Sequence, residues 1–146
     1  MKLVDPDTTI LVVTGGSASA AEKDRPLADR LAEEINRRGS GIAYHRAVVL
    51  RDDRYVASPA VHQNPTIAIG GPGVNQVANH LSQHLPTAWT RDERSFVQMA
   101  VGGPSRQAVL WGMDATATRD AVEAFIGEGM LDELLERVWA FRTGLI

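Results

Sequence analysis

The chain contains no cysteine in its 146 residues, which removes disulfides, thiolate metal sites and a cysteine nucleophile at once. It also lacks a long apolar run. The first apolar stretch, Ile10 to Val13, follows the acidic segment Met1 to Asp7 and is too short for an export signal. No segment approaches the roughly twenty apolar residues that a spanning helix requires, so no membrane partner is expected and the expected location is cytoplasmic. An excess of positive charge is absent too. The formal net charge is -3, which supplies no sequence-wide attraction to phosphate backbones, so nucleic acid is not an expected partner.

What remains is an ordinary globular composition, 44% hydrophobic and 23% charged, in a chain near the modal domain size. A single domain over residues 1–146 is expected. Thr8 to Thr14 is short, β-branched and continuously apolar at its centre, and Gly15-Gly16-Ser17 closes it, the pattern of a strand buried on both faces. Leu27, Leu31 and Ile35 then recur at helical spacing. Two starts compete for that helix: a capping box of Ser19 with Glu22, or Asp24 ahead of Pro26. Gly39 and Gly41 end it.

From Ile42 to Leu50 the pattern alternates as a strand does, Arg51 to Arg54 reads as an exposed turn, and Tyr55 to Ala57 reads as a returning hairpin partner. Ser58 to Pro65 is a loop. Thr66 to Ile69 followed by Gly70-Gly71-Pro72-Gly73 repeats the buried strand and glycine turn, with a helix behind it on Val74, Val77, Leu81 and Leu85, Pro72 in its first turn and Pro86 as its stop. Phe96 to Val101 and Ala108 to Met113 form a hairpin across the loop 102–107. Two helices follow. The first carries Val122, Phe125 and Ile126 with Asp114 or Thr116 as cap, and the second carries Leu131, Leu134, Leu135, Val138 and Trp139 after a break at Gly127 and Gly129. Together these predict an α/β, three-layer Rossmann-like fold: a mostly parallel mixed sheet with an antiparallel hairpin and helices on both faces.

Two features depart from a plain globular background. The first is the pair of glycine turns. In open α/β sheets ligands settle outside the carboxyl ends of the strands, so Gly15, Gly16 and Ser17 with Gly70, Gly71, Gly73 and Asn75 form a candidate cradle for a phosphate or other small anion. Neither turn has dinucleotide or phosphate-loop spacing, and Pro72 removes one N–H donor. The competing and simpler reading is that the glycines merely permit tight strand-to-helix turns. The second feature is charge depletion. From Tyr55 through Thr90 there is no Asp, Glu, Lys or Arg, and the polar face of the predicted helix in that span consists of Gln76, Asn79, His80, Gln83 and His84, together with Asn75. Depletion of charge marks interface cores, so this face is a candidate for self-association or for a protein partner; cover by the chain's own loops is the competing reading.

No catalytic constellation is expected. Ser17, a histidine and Asp114 make a triad only on paper, for there is no Gly-x-Ser-x-Gly elbow. Asp52 and Asp53 between Arg51 and Arg54 read as solvated charges in surface ion pairs. His80 and His84 share a helix face, but without a nearby third ligand or carboxylate no metal site is expected, and no cofactor is called for. Trp89, Trp111 and Trp139 read as core packing.

The segments Thr66-Ile-Ala-Ile-Gly-Gly-Pro-Gly-Val-Asn75 and Val109-Leu-Trp-Gly-Met-Asp-Ala-Thr-Ala-Thr-Arg-Asp-Ala121 resemble the Rossmann-like module of archaeal surface-layer proteins. The resemblance covers about the middle and third quarter of the chain. It implies a fold and a non-catalytic precedent, and carries over no active-site residue. The leading expectation is therefore a non-catalytic, self-associating interaction or scaffold module. The alternative is a small enzyme or sensor that binds a phosphate-bearing ligand at the two glycine turns.

Overall fold

The computed structural model describes residues 4–100 and 105–140. The first strand, β1 (Ile10–Thr14), is buried along its whole length, because apolar side chains pointing both ways need cover on both faces. Helix α1 (Ala18–Arg38) follows, then β2 (Ala47–Arg51), the short helix α2 (Asp52–Val56), a 3-10 turn at Pro59–Val61 and β3 (Thr66–Ile69). The second half adds α3 (Gln76–Ser82), β4 (Thr87–Arg91), β5 (Ser95–Gln98), β6 (Gln107–Gly112), α4 (Ala115–Gly127) and α5 (Met130–Leu135), which runs on into a wider π turn at Glu136–Ala140.

The strands form one sheet in the order β2-β1-β3-β6-β5-β4. β1 lies between β2 and β3 and parallel to both, with Leu11 opposite Thr66 and Thr14 opposite Ile69, and β6 continues the parallel set. The two strands expected to be buried are thus parallel neighbours. β5 and β4 complete the sheet in antiparallel fashion. Alternation along the strands builds the three layers. Ile10, Val12, Ile67, Ile69 and Leu110 pack beneath α1, α4 and α5 against Leu31, Ile35, Phe125 and Leu134. Leu11, Val13, Ala68 and Val109 face the other way, onto Val77, Ala78 and Leu81 of α3. Each fully buried large side chain contributes about 1.5–3 kcal/mol, so both faces are held by burial. Among the described residues no helix is long and apolar enough to cross a membrane.

Several local expectations give way. Neither Ser19 nor Asp24 caps α1; Ser17 does, its Oγ accepting the Ala20 N–H at 3.1 Å, and Asp24 and Pro26 lie inside the helix. β2 begins at Ala47, not Ile42, because Gly39 packs against the His45 carbonyl and Tyr44 adopts a left-handed φ of 65°, which interrupts any extended run. The expected turn and hairpin return at 51–57 is instead α2, and Asp52 is buried, its Oδ2 accepting the Gln76 N–H at 2.8 Å. Asp53 remains exposed and paired with Arg51, as expected of a surface ion pair. Pro72 stands in the loop before α3, which starts only after Asn75 and stops at Ser82.

The strand β4 lies in a segment where no strand is expected. Its turn to β5 is made by Asp92 and Glu93, both left-handed at φ 55° and 54°, without the glycine that usually announces such a turn. β5 and β6 do pair as the predicted hairpin, Phe96 opposite Trp111. Val101, Gly102, Gly103 and Pro104 of that hairpin lie outside the described residues. Of the two caps considered for α4, Asp114 is the one used, accepting the Ala117 N–H. The tryptophans pack: Trp111 stacks on Phe96, and Trp139 stacks on His45 while its Nε1 donates to the Thr8 carbonyl.

Candidate functional site

β1 and β3 are neighbours, yet β1 feeds a helix on one face of the sheet and β3 feeds a helix on the other. The chain therefore diverges at their carboxyl ends, and this switch point is where open α/β sheets leave a crevice. Both glycine turns lie there, and they interlock. A Cβ on Gly15 would stand 2.1 Å from the Val74 carbonyl oxygen and 2.9 Å from the Ala20 Cβ. Glycine at 15 is thus required for backbone to meet backbone.

Asn75 locks the same junction. Its Nδ2 donates to the Val13 carbonyl at 3.0 Å and to the Ile69 carbonyl at 2.9 Å, while its Oδ1 accepts the N–H groups of Val77 and Ala78. Both donors and the acceptor are spent within the fold, and the residue is 1% exposed. Asn75 therefore works as a clamp across two strand ends and a helix cap. The Ser17 hydroxyl is likewise engaged, as the cap of α1.

The interlocked turns leave a cleft on either side. The wider one, about 370 Å³, is lined by Gly16, Ser17, Asp52, Asp53, Gly73 and Asn79 among others. Its chemistry is acidic at the point where the glycine turn opens: a Cβ on Gly16 would stand 3.0 Å from Asp52 Oδ1 and 3.2 Å from Asp53 Oδ1. A phosphate laid over that turn would face two carboxylates. The Arg51 guanidinium that keeps the Asp53 carboxyl below its usual range is already engaged by it.

The narrower cleft, about 190 Å³, lies between α1, the turn after β3 and the start of α4; Lys23, Asp24, Gly70, Gly71, Asp114 and Thr118 are among its walls. Gly70 has φ 114°, and a Cβ there would meet Asp24 Oδ2 at 2.7 Å. Asp24 is 5% exposed, and desolvation by that burial pushes its carboxyl up to about 6, opposed in part by Lys23. Asp114 is held below the ordinary carboxylate range, first by the Ala117 N–H and then by Arg94. A perturbed carboxyl in a cleft at the switch point is a candidate functional group. In the sequence Asp24 reads only as a helix cap; an acid one turn before Leu27 and Ala28, on the apolar stripe of α1, does not by itself say burial.

The candidate interface residues are all exposed: Gln76, Asn79 and His80 on α3, and Gln83 and His84 at and just past its carboxyl-terminal cap. The histidines 80 and 84 meet edge to face at 5.2 Å between ring centres, whereas His62 stacks on Tyr55 and bonds its carbonyl. Among the described residues no group of three His, Cys, Asp or Glu side chains is placed to hold a metal ion. Comparison with protein-family models and with curated proteins returns no match, so the functional reading of this chain rests on the geometry of its own residues.

Proposed function

We propose that this chain binds a small polar molecule in the crevice at the carboxyl ends of β1, β3 and β6. One observation carries the reading: two interlocked turns stand at the topological switch point and leave clefts of about 370 and 190 Å³ beside them. The carboxylates of Asp52, Asp53, Asp24 and Asp114 around these clefts favour a ligand that donates hydrogen bonds over the phosphate-bearing ligand suggested by the glycines alone. Screening a library of small polar compounds against the 15N-labelled protein tests this. Binding should shift the amide signals of Gly15, Gly16, Ser17, Gly70, Gly71 and Gly73, and hits that map only elsewhere would remove the proposal.

A second reading, self-association or docking to a protein partner through α3, is favoured by a separate observation. Gln76, Asn79 and His80 on that helix and Gln83 and His84 just after it are exposed, the surface carries no Asp, Glu, Lys or Arg, and the neighbouring Val74 is 52% exposed. The resemblance to a non-catalytic surface-layer module points the same way. Sedimentation of the purified chain distinguishes it from the first reading.

A further inference from the structure

We propose that the narrower cleft is a binding site for the protonated amine of a small organic ligand, with the Asp24 carboxylate as its acceptor. The inference rests on the crevice reading above and adds its chemistry. Asp24 is 5% exposed and lines the cleft, and its carboxyl accepts no hydrogen bond from any described residue. Its Oδ2 lies directly against Gly70, at a backbone conformation that admits only glycine comfortably. The other acid of the cleft is committed: Asp114 Oδ1 accepts the Ala117 N–H at 2.8 Å and Oδ2 pairs with Arg94. One acceptor with vacant lone pairs is therefore left at the cleft floor.

A buried carboxylate without partners is costly, and its natural occupant brings both donors and positive charge. An anion would meet the carboxylates of Asp24 and Asp114, with exposed Lys23 the one cationic side chain among the described residues lining the cleft. A metal ion would find no set of three ligands among the described residues. A hydroxyl would donate but leave the charge uncompensated, whereas an ammonium group does both. The cleft is open and of about 190 Å³, room for an amine head group while the rest of the molecule lies outside. The groups that face Asp24 are Lys23 on α1 and Asp114 on α4; the turn after β3 presents glycines. With the Asp24 carboxyl at about 6, amine affinity should be full above neutral pH and fall as the carboxylate protonates.

The test is titration of the 15N-labelled protein with propylamine at slightly alkaline pH, with propionate and propanol as matched probes. Propylamine alone should give saturable shifts at Lys23, Asp24, Gly70, Gly71 and Gly112, with affinity about ten-fold weaker in Asp24→Asn. Equal shifts from propionate or propanol, undiminished affinity in Asp24→Asn, or no shift with propylamine would overturn the amine assignment. The crevice reading would survive each of these as long as other compounds in the polar library map to the two turns. Should Asp24→Asn fail to fold, the 13C signal of the wild-type Asp24 carboxyl decides: saturating propylamine should lower its titration midpoint by about one pH unit, and an unmoved midpoint overturns the proposal.

Discussion

Asn75 Nδ2 donates to the carbonyl of Val13, a residue sixty-two positions earlier in the chain, at 3.0 Å. The same amide reaches Ile69, so one side chain ties the carboxyl ends of β1 and β3 together while its oxygen starts α3. Asn75→Ala would leave two carbonyls without their donor and two helix N–H groups without their cap. The expected cost is about 2–4 kcal/mol by urea unfolding. Asn75→Asp keeps the cap but turns acceptors toward both carbonyls, and should be at least as damaging. A loss below about 1 kcal/mol for Asn75→Ala would show that the clamp matters little.

Gly15 and Gly73 belong to the two turns but make opposite demands. Gly15→Ala drives a methyl group into the Val74 carbonyl, 2.1 Å away, whereas nothing lies within 4 Å of a Cβ on Gly73. Gly15→Ala should cost about 3 kcal/mol or more and separate the two turns, while Gly73→Ala should stay within about 0.5 kcal/mol of wild type. Thermal melts of the two variants check the contrast.

The pH dependence of stability should have two limbs of opposite sign. The folded state raises Asp24 from 3.8 to about 6, so it favours the protonated carboxyl. That contribution is full below the unfolded value and is lost as pH rises through about 6. Glu34, gripped by Arg38, Arg37 and Arg30, is lowered from 4.5 to about 2; its contribution is present above 4.5 and lost as pH falls through about 2. Asp24→Asn should therefore stabilise the protein at pH 8, by about 1–2 kcal/mol after allowance for solvent in the open cleft, and change little at pH 4. Denaturant melts at the two pH values test this, and a variant that is less stable than wild type at pH 8 would contradict the burial argument.

For the exposed surface at α3, Gln83→Lys, at the cap that ends the helix, is the cleanest probe of self-association. Gln76 is a poorer one, since its N–H already binds the Asp52 carboxylate and a Glu there would be repelled within a single chain. If α3 packs on a second copy, an unpaired lysine in that interface should cost several kcal/mol and shift the dimer to monomer at micromolar concentration. A wild-type chain that sediments as a monomer at high concentration would end the self-association reading.

Much of this molecule was legible from residue order because its determinants are local. The β-branched runs at Ile10–Val13 and Ile67–Ile69 can only be buried strands, the helical spacing of Leu27, Leu31 and Ile35 requires a covered face, and the glycine turns behind both strands mark the carboxyl edge of a parallel sheet. Where non-glycine residues adopt left-handed conformations, at Tyr44, Asp92 and Glu93, no composition signal exists, and there β2 starts late and β4 goes unforeseen. Only the tertiary structure decided the rest. Asp52, Asn75 and Asp24 are all short polar residues in turn or cap contexts, and each has an innocuous surface reading from sequence. What separates them is distance across the fold: Asp52 meets the N–H of Gln76, Asn75 meets Val13, and the Asp24 carboxyl lies against Gly70 with no hydrogen-bond donor among the described residues. Burial and hydrogen-bond satisfaction are set by neighbours far apart in the chain, so the residues that decide what the crevice can bind are those whose roles residue order alone does not reveal.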